Sequence, residues 1–123
     1  MICFDTNVLT DMMLARPTAE ISHAYFAQNI KEASASILSL QFLMYYAEKH
    51  HMNTDAVRKA SNLMIWLPVT EEDTQWAFEH YDGKDYEDAL QVSIALREGC
   101  TTFVTRDKKL AQKYADEIKI KLI

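Results

Sequence analysis

Three aspartates stand where a carboxylate has reason to be more than a solvated surface charge. Asp5 closes the apolar run Met1-Ile2-Cys3-Phe4, and the polar step Thr6-Asn7 leads on to Val8-Leu9. The run is too short for a helix and reads as a buried strand ended by a turn. Strands buried on both faces occur mostly in parallel sheets covered by helices. In such sheets functional groups gather outside the carboxyl ends of the strands. Asp107 follows the strand-like Thr101–Thr105 and an arginine, so it too occupies a carboxyl end. Asp88 falls in the first turn of a helix opening at Asp85, whose Ala89, Val92, Ala95 and Leu96 must pack on the sheet.

If the three acids converge, their repulsion decides what they can do. Two unit charges ~6 Å apart repel by roughly 3 kcal/mol at an effective dielectric of about 20. Three such pairs would cost about 8 kcal/mol, comparable to the whole stability of a small domain. A cluster of that kind survives by taking up protons or by binding a cation. Oxygen-only donors favour Mg²⁺ or Mn²⁺ over zinc. Each acid also has an ordinary structural use. Asp85 can be an N-cap, Glu87 and Asp88 favourably oppose the helix dipole, and Asp107 and Asn7 can cap the helices that follow them. Composition and spacing leave both readings open.

The elements that must position these acids follow from the apolar pattern. Val8-Leu9 with Met12-Met13 reads as a short helix ending near Arg16-Pro17, because the residue before a proline avoids helical geometry. Thr18 is a candidate N-cap for a second helix with a stripe of Ala19, His23, Phe26 and Ile30. Ala33–Ser36 reads as a short strand. Ile37–Lys49 reads as a helix with Ile37, Leu40, Met44 and Ala47 on one face and Phe42, Tyr45 and Tyr46 on the other. A helix apolar all round is central or shared with a partner. Asn53 or Thr54 caps a fourth helix that turns Ala56, Ala60, Leu63 and Met64 inward. Trp66–Val69 reads as an edge strand, since its proline cannot serve an interior ladder. Thr70 and Asp73 have capping-box spacing for a helix burying Trp76, Ala77 and His80. The helix from Asp85 ends at Gly99 in the left-handed conformation. Strand 101–105, helix 107–114 and strand 118–123 complete the chain. The expected fold is one α/β domain over residues 1–123, a three-layer α/β/α sandwich around a mostly parallel sheet.

Bulk properties narrow the classes of function. At 123 residues and 14.2 kDa, the chain buries a core without staples. No apolar run approaches a membrane span and no signal peptide opens the chain, so a cytoplasmic, membrane-free protein is expected. A net charge of −5 argues against a sequence-independent basic nucleic-acid face. Gly83 and Gly99 are the only glycines, which excludes a glycine-rich phosphate loop. Cys3 and Cys100 read as buried, reduced thiols without zinc spacing. His50-His51 suits a helix C-terminus rather than a metal.

Phe4-Asp5-Thr6-Asn7-Val8-Leu9, then Asp85-Tyr86-Glu87-Asp88-Ala89 with Gln91, then Val104-Thr105-Arg106-Asp107 resemble, in that order, the PIN-domain family. The likeness is to small bacterial, VapC-like members carrying an Asp-aromatic-Glu-Asp-Ala motif, and it spans essentially the whole chain. The segment Ser36–Lys49 fits the same branch. The resemblance implies a small nuclease that hydrolyses RNA with Mg²⁺ or Mn²⁺, in many such proteins a toxin held by a small antitoxin and often dimeric. Carried over by position, Asp5, Asp88 and Asp107 are metal-binding acids, Thr105 is a supporting hydroxyl, and Asn7 is a neighbour that orients Asp5. One departure stands out: a glutamate usual in the helix after the second strand is missing, for Gln41-Phe42 occupy its place. Glu48 lies about two turns too late, since seven residues of helix rise ~10 Å. Asp85 or Glu87 could supply the charge instead.

The mechanism expected is metal-assisted phosphodiester hydrolysis, with Asp5, Asp88 and Asp107 holding the ion. Arg16, Lys84, Arg106 and Lys108, with Asn7, are candidate substrate contacts. Two other readings compete. A PIN-like module that has lost catalysis and binds RNA or protein is supported by the missing glutamate. A phosphorylatable receiver domain is disfavoured, because Trp66–Thr70 ends without the aspartate it requires.

Overall fold

The computed structural model describes residues 1–123. Its strands are β1 (Ile2–Phe4), β2 (Ala33–Ser36), β3 (Ile65–Leu67), β4 (Thr102–Thr105) and β5 (Ile120–Leu122). Its helices are α1 (Thr6–Met13), α2 (Ala19–Gln28), α3 (Ile37–Lys49), α4 (Thr54–Ser61), α5 (Glu71–His80), α6 (Tyr86–Arg97) and α7 (Lys108–Lys113), with a 3₁₀ turn at Ile30–Glu32. The five strands form one sheet in the order β3-β2-β1-β4-β5. Every pairing is parallel, so the expected "mostly parallel" sheet is parallel throughout. Helical crossovers between neighbours impose this, because parallel strands cannot be joined by tight turns.

Alternation along the strands divides the core in two. Cys3, Leu67 and Phe103 point into one half together with Ala77, Val92 and Leu110 from α5, α6 and α7. Ile2, Phe4, Ala33, Ala35 and Val104 point into the other, against Val8 and Leu9 of α1 and Leu43 of α3. These are the two helical layers of the sandwich. β1 is central and fully buried, as its apolar run requires.

The chain runs β1 to β2 to β3 toward one edge and returns to the far side of β1 for β4 and β5. The direction of winding therefore reverses between β1 and β4. Crevices at such a switch point, outside the carboxyl ends, are where open α/β sheets bind ligands. Asp5 and Asp107 flank this one.

Several helical faces differ from the pattern expected. In α3 Ala47 is buried as expected, but its buried companions are Ser39 and Leu43 rather than Leu40 and Met44, which are half-buried, and Ile37 is exposed. The sequence hides this because Ser39 is polar. Its hydroxyl is satisfied by Thr6 at 2.7 Å, which lets a small polar residue take an inward place. In α2 the buried residues are Ala19 and Ser22, while His23 and Ile30 lie outside. The α4 helix buries nothing: Ala56, Ala60 and Leu63 are exposed and, with Met64, line an open groove. The third strand is Ile65–Leu67, stopping before Pro68, and lies at an edge as the proline implied. Thr18 leaves the α2 cap unmade and donates to Asp11 instead at 2.6 Å. Asn53 does cap α4, through Ala56 N–H.

The capping box of α5 forms as its spacing predicts and has a second use. Asp73, fully buried, accepts from Thr70, from Ser93 at 2.9 Å and from Arg97 at 3.1 Å, tying α5 to α6. Burial alone would raise its carboxyl, but the Arg97, Thr70 and Ser93 bonds hold it below the ordinary value. Trp76 and His80 are half-buried and stack on each other at 3.7 Å, with Trp76 also packed against the core. Gly99 adopts φ +73 directly after α6, the left-handed stop expected there.

Candidate active site

Asp5 is placed by the sheet itself. Its N–H donates to Val104 carbonyl at 2.8 Å, so the β1–β4 ladder runs up to the acid and then stops. The carboxylate is 4% exposed. Thr105, the last residue of β4, donates its hydroxyl to Asp5 Oδ2 at 2.7 Å. The same Thr105 oxygen accepts from Asp107 N–H at 3.1 Å and from Asn7 Nδ2 at 3.3 Å. Asn7 was expected to orient Asp5. Its amide instead brackets Thr105, with Oδ1 accepting from Arg106 N–H at 3.3 Å, so it acts on Asp5 only through the threonine.

Asp107 is the N-cap of α7, and its Oδ1 accepts from Lys109 N–H at 2.9 Å and Leu110 N–H at 3.2 Å. One oxygen is thus committed to the helix, and the cap fixes the side chain beside the crevice. Asp88 lies in the first turn of α6, two residues after the half-buried Tyr86. Glu87 accepts from Gln91 Nε2 at 3.2 Å, and that amide also donates to Thr6 at 3.0 Å. Gln91, almost fully buried, therefore binds α6 to the start of α1 immediately beside Asp5. Asp85 begins α6 at φ +57 without capping it through its side chain. A non-glycine residue held in this left-handed region is locally strained, a cost that tends to collect at functional sites.

The electrostatics bring these acids together. Burial raises the Asp5 carboxyl to about 6; bonds from Thr105 and Thr6 oppose the rise, and Asp107 and Glu87 add to it. Burial likewise raises Asp88 to about 7, reinforced by the charges of Asp5, Asp107, Asp85 and Glu87. None of the ion pairs in the structure includes Asp5, Asp88 or Asp107. The acids thus press on one another without a protein cation to compensate.

The donor set is all oxygen and anionic, the chemistry of a hard divalent cation. No three carboxylate, imidazole or thiol groups close on a common point. Asp85, Asp88 and Asp107 line a cavity of about 370 Å³ with Lys84, Lys109 and Lys113. Of the candidate substrate contacts, Lys84 opens onto this cavity and Lys108 is exposed at the start of α7. The two arginines are turned elsewhere. Arg106 lies 2.7 Å from Asp11 and Arg16 lies 3.9 Å from it.

Asp11 escaped the sequence reading. It is completely buried on α1, and its pairing with Arg106 pins the turn between Thr105 and Asp107. An acid inside the apolar run Val8–Leu14 was the available signal, since charges are rarely buried unpaired. Lys109 and Lys113 were missed because only the fold brings them to the crevice, and Gln91, quoted only as part of the motif, gains its bonds to Glu87 and Thr6 there.

Comparison with known proteins agrees with this geometry. A family model described as a PIN domain matches residues 1–109. Ribonuclease VapC1 of Aquifex aeolicus (strain VF5) is 25% identical over 130 residues, covering 94% of this chain and 85% of that protein. Among solved structures, VapBC2 from Rickettsia felis bound to a promoter DNA fragment superposes with a TM-score of 0.73 at 16% identity, over 99% of this chain and 98% of that one. A toxin–antitoxin complex from Klebsiella pneumoniae gives 0.72 at 18%, over 98% and 96%. At such identities the structural matches establish the fold.

Proposed function

The chain belongs to the PIN-domain family, and on that premise we propose that it is a Mg²⁺- or Mn²⁺-dependent endoribonuclease, the toxin of a two-protein toxin–antitoxin pair. The observation that carries this reading is the crevice between β1 and β4. There Asp5 and Asp88 are both raised toward neutrality by burial and by neighbouring acids, and neither forms an ion pair. The Aquifex relative is a ribonuclease, which supports the reaction, and the Klebsiella neighbour is a toxin–antitoxin complex, which supports the setting.

Asp5, Asp88 and Asp107 would hold the metal, with Glu87 and Asp85 available as further carboxylates. Bound there, the ion would acidify a water and neutralise charge building on the phosphate. The protein's own groups do the rest. Thr105 holds Asp5 in one rotamer and fixes Asp107 through its N–H. Gln91 keeps Glu87 facing Asp5. Lys84, Lys108 and Lys109 draw the RNA backbone to an otherwise acidic mouth. Arg106 and Arg16 act on the site through Asp11 rather than on phosphate.

A small antitoxin would occupy the apolar groove of about 410 Å³ between α1, α2, α3 and α4, lined by Met12, Met13, Phe26, Leu63 and Met64. The exposed Phe42 and Tyr45 of α3 suit a contact with a second copy. Leu63→Asp should abolish capture of the protein encoded by the adjoining reading frame while sparing RNA cleavage.

The test of the reaction is cleavage of single-stranded RNA by the purified chain with Mg²⁺ or Mn²⁺, beside Asp88→Asn and Asp107→Asn. Equal cleavage by wild type and Asp88→Asn would remove the site. The exposed Gln41 and Phe42 on α3, where an acid was expected, favour one other reading: a weakened module that binds without cutting. Calorimetric titration with Mn²⁺ separates the two, because that module would take up no metal at millimolar concentration.

A further inference from the structure

Beside the acidic crevice stands an aromatic cluster that packing alone does not require. Phe78, at the end of α5, is 64% exposed. Its ring lies 5.2 Å from Tyr86 at a tilt of 34° and 6.4 Å from Tyr81. Tyr81 and Tyr86 meet edge to face at 5.5 Å, and both rest partly on the core beneath. The two tyrosines are therefore held from below, while Phe78 stands on them with a ring face free. Such a ring gains little for folding, since its apolar area stays largely in water.

The cluster is continuous with the site already described. Residues 81–85 join α5 to α6, with Tyr81 at one end and Tyr86 directly after the other. Gly83 turns this connection at φ +89. Its Asp82, Lys84 and Asp85 line the cavity that holds Asp88 and Asp107. Lys84 lines that cavity without an ion-pair partner, two residues before Tyr86. An exposed aromatic ring near a carboxylate-lined cavity that also carries an unpaired cation suits a planar group attached to a phosphate. The patch is about one ring across, far below the ~800 Å² per partner of a stable protein interface.

We propose that Phe78, supported by Tyr86 and Tyr81, is a stacking subsite for an unpaired RNA nucleobase next to the nucleotide whose phosphate enters the crevice, with Lys84 meeting the intervening backbone. The inference rests on the RNA reading above and adds a requirement to it: the substrate is single-stranded at this position, because a base in a duplex has no free face to offer.

The experiment measures anisotropy of a fluorescent single-stranded RNA on the full-length Asp5→Asn protein with Mg²⁺, so that the RNA survives. Phe78→Ala in that background should raise Kd by roughly five- to a hundred-fold, the range for losing one base–aromatic stack. Phe78→Trp should retain binding. An RNA made abasic at successive positions should reach one position where Phe78→Ala no longer matters. Thermal melting should be unchanged, since the exposed ring is not holding the fold. A Kd for Phe78→Ala within about twofold of its parent overturns the subsite and leaves the nuclease reading intact. The same Kd with loss of a dimer assigns the ring to a protein contact and equally overturns it. Failure of the parent protein to bind RNA overturns the subsite, and the nuclease reading falls with it where the wild type also fails to cleave RNA with Mg²⁺ or Mn²⁺.

Discussion

Replacing Asp5 by asparagine should make the metal-free protein more stable at neutral pH while destroying its activity. The Asp5 carboxyl is raised from 3.8 to about 6, first by burial and then by Asp107 and Glu87. At about 1.36 kcal/mol per pH unit, holding it ionised well above pH 6 costs on the order of 3 kcal/mol of folding free energy. The folded-state value lies above the unfolded one, so the stability is fully present below about pH 4 and is lost as pH rises through about 6. Asparagine keeps an oxygen that can accept the 2.7 Å Thr105 bond and removes the charge. The gain should therefore approach 3 kcal/mol at pH 8 in a chelator. For a domain of this length that is a rise of about 10 °C in Tm. The assay is thermal unfolding of both proteins from pH 4 to 8 with EDTA, then with excess Mg²⁺ or Mn²⁺. The two curves should meet near pH 4, separate between about pH 4 and 6, and keep a constant gap above that. Metal should raise the wild-type Tm, as any ligand of the folded state does, and leave Asp5→Asn nearly unmoved. A wild-type Tm flat from pH 5 to 8 in chelator, or an Asp5→Asn protein no more stable at pH 8, would refute the account of a strained carboxylate.

Two further outcomes follow from the surrounding bonds. Thr105→Val is close to isosteric but removes the donor to Asp5 and the acceptor of Asp107 N–H, so it should cost about 1–3 kcal/mol and depress RNA cleavage; unchanged kcat/KM would show that neither acid depends on it. Arg97→Leu strands the fully buried Asp73 charge between α5 and α6 and should cost roughly 3–5 kcal/mol in urea unfolding at pH 7, with the loss shrinking as pH falls and Asp73 protonates; a pH-independent loss would point to packing instead.

What the sequence determined is whatever local chemistry enforces. The run before Asp5 could only be a buried strand, Pro68 put its strand at an edge, Thr70 with Asp73 capped α5, and Gly99 stopped α6. Those facts were enough for an α/β sandwich with acids at strand ends. The ordered motifs around Asp5, Asp88 and Asp107 were enough for the family. Side-chain facing was less legible where polar residues took inward places. Ser39 in α3 and Asp11 in α1 are buried because Thr6 and Arg106 reach them across the fold; Asp11's other partners, Thr18 and Arg16, lie close in sequence, but the pairing with Arg106 does not.

Tertiary structure alone decided which groups meet at the crevice. Winding reverses between β1 and β4, and this sets Asp5 beside Thr105, a hundred residues away along the chain. Asn7 became a partner of Thr105, and the arginines turned to Asp11, because the 105–107 turn folds back over α1. The raised carboxyls of Asp5 and Asp88 belong to the same level of structure. A pKa departs from its ordinary value through burial and the distance to other charges, and both are properties of the assembled fold rather than of the residues that carry it.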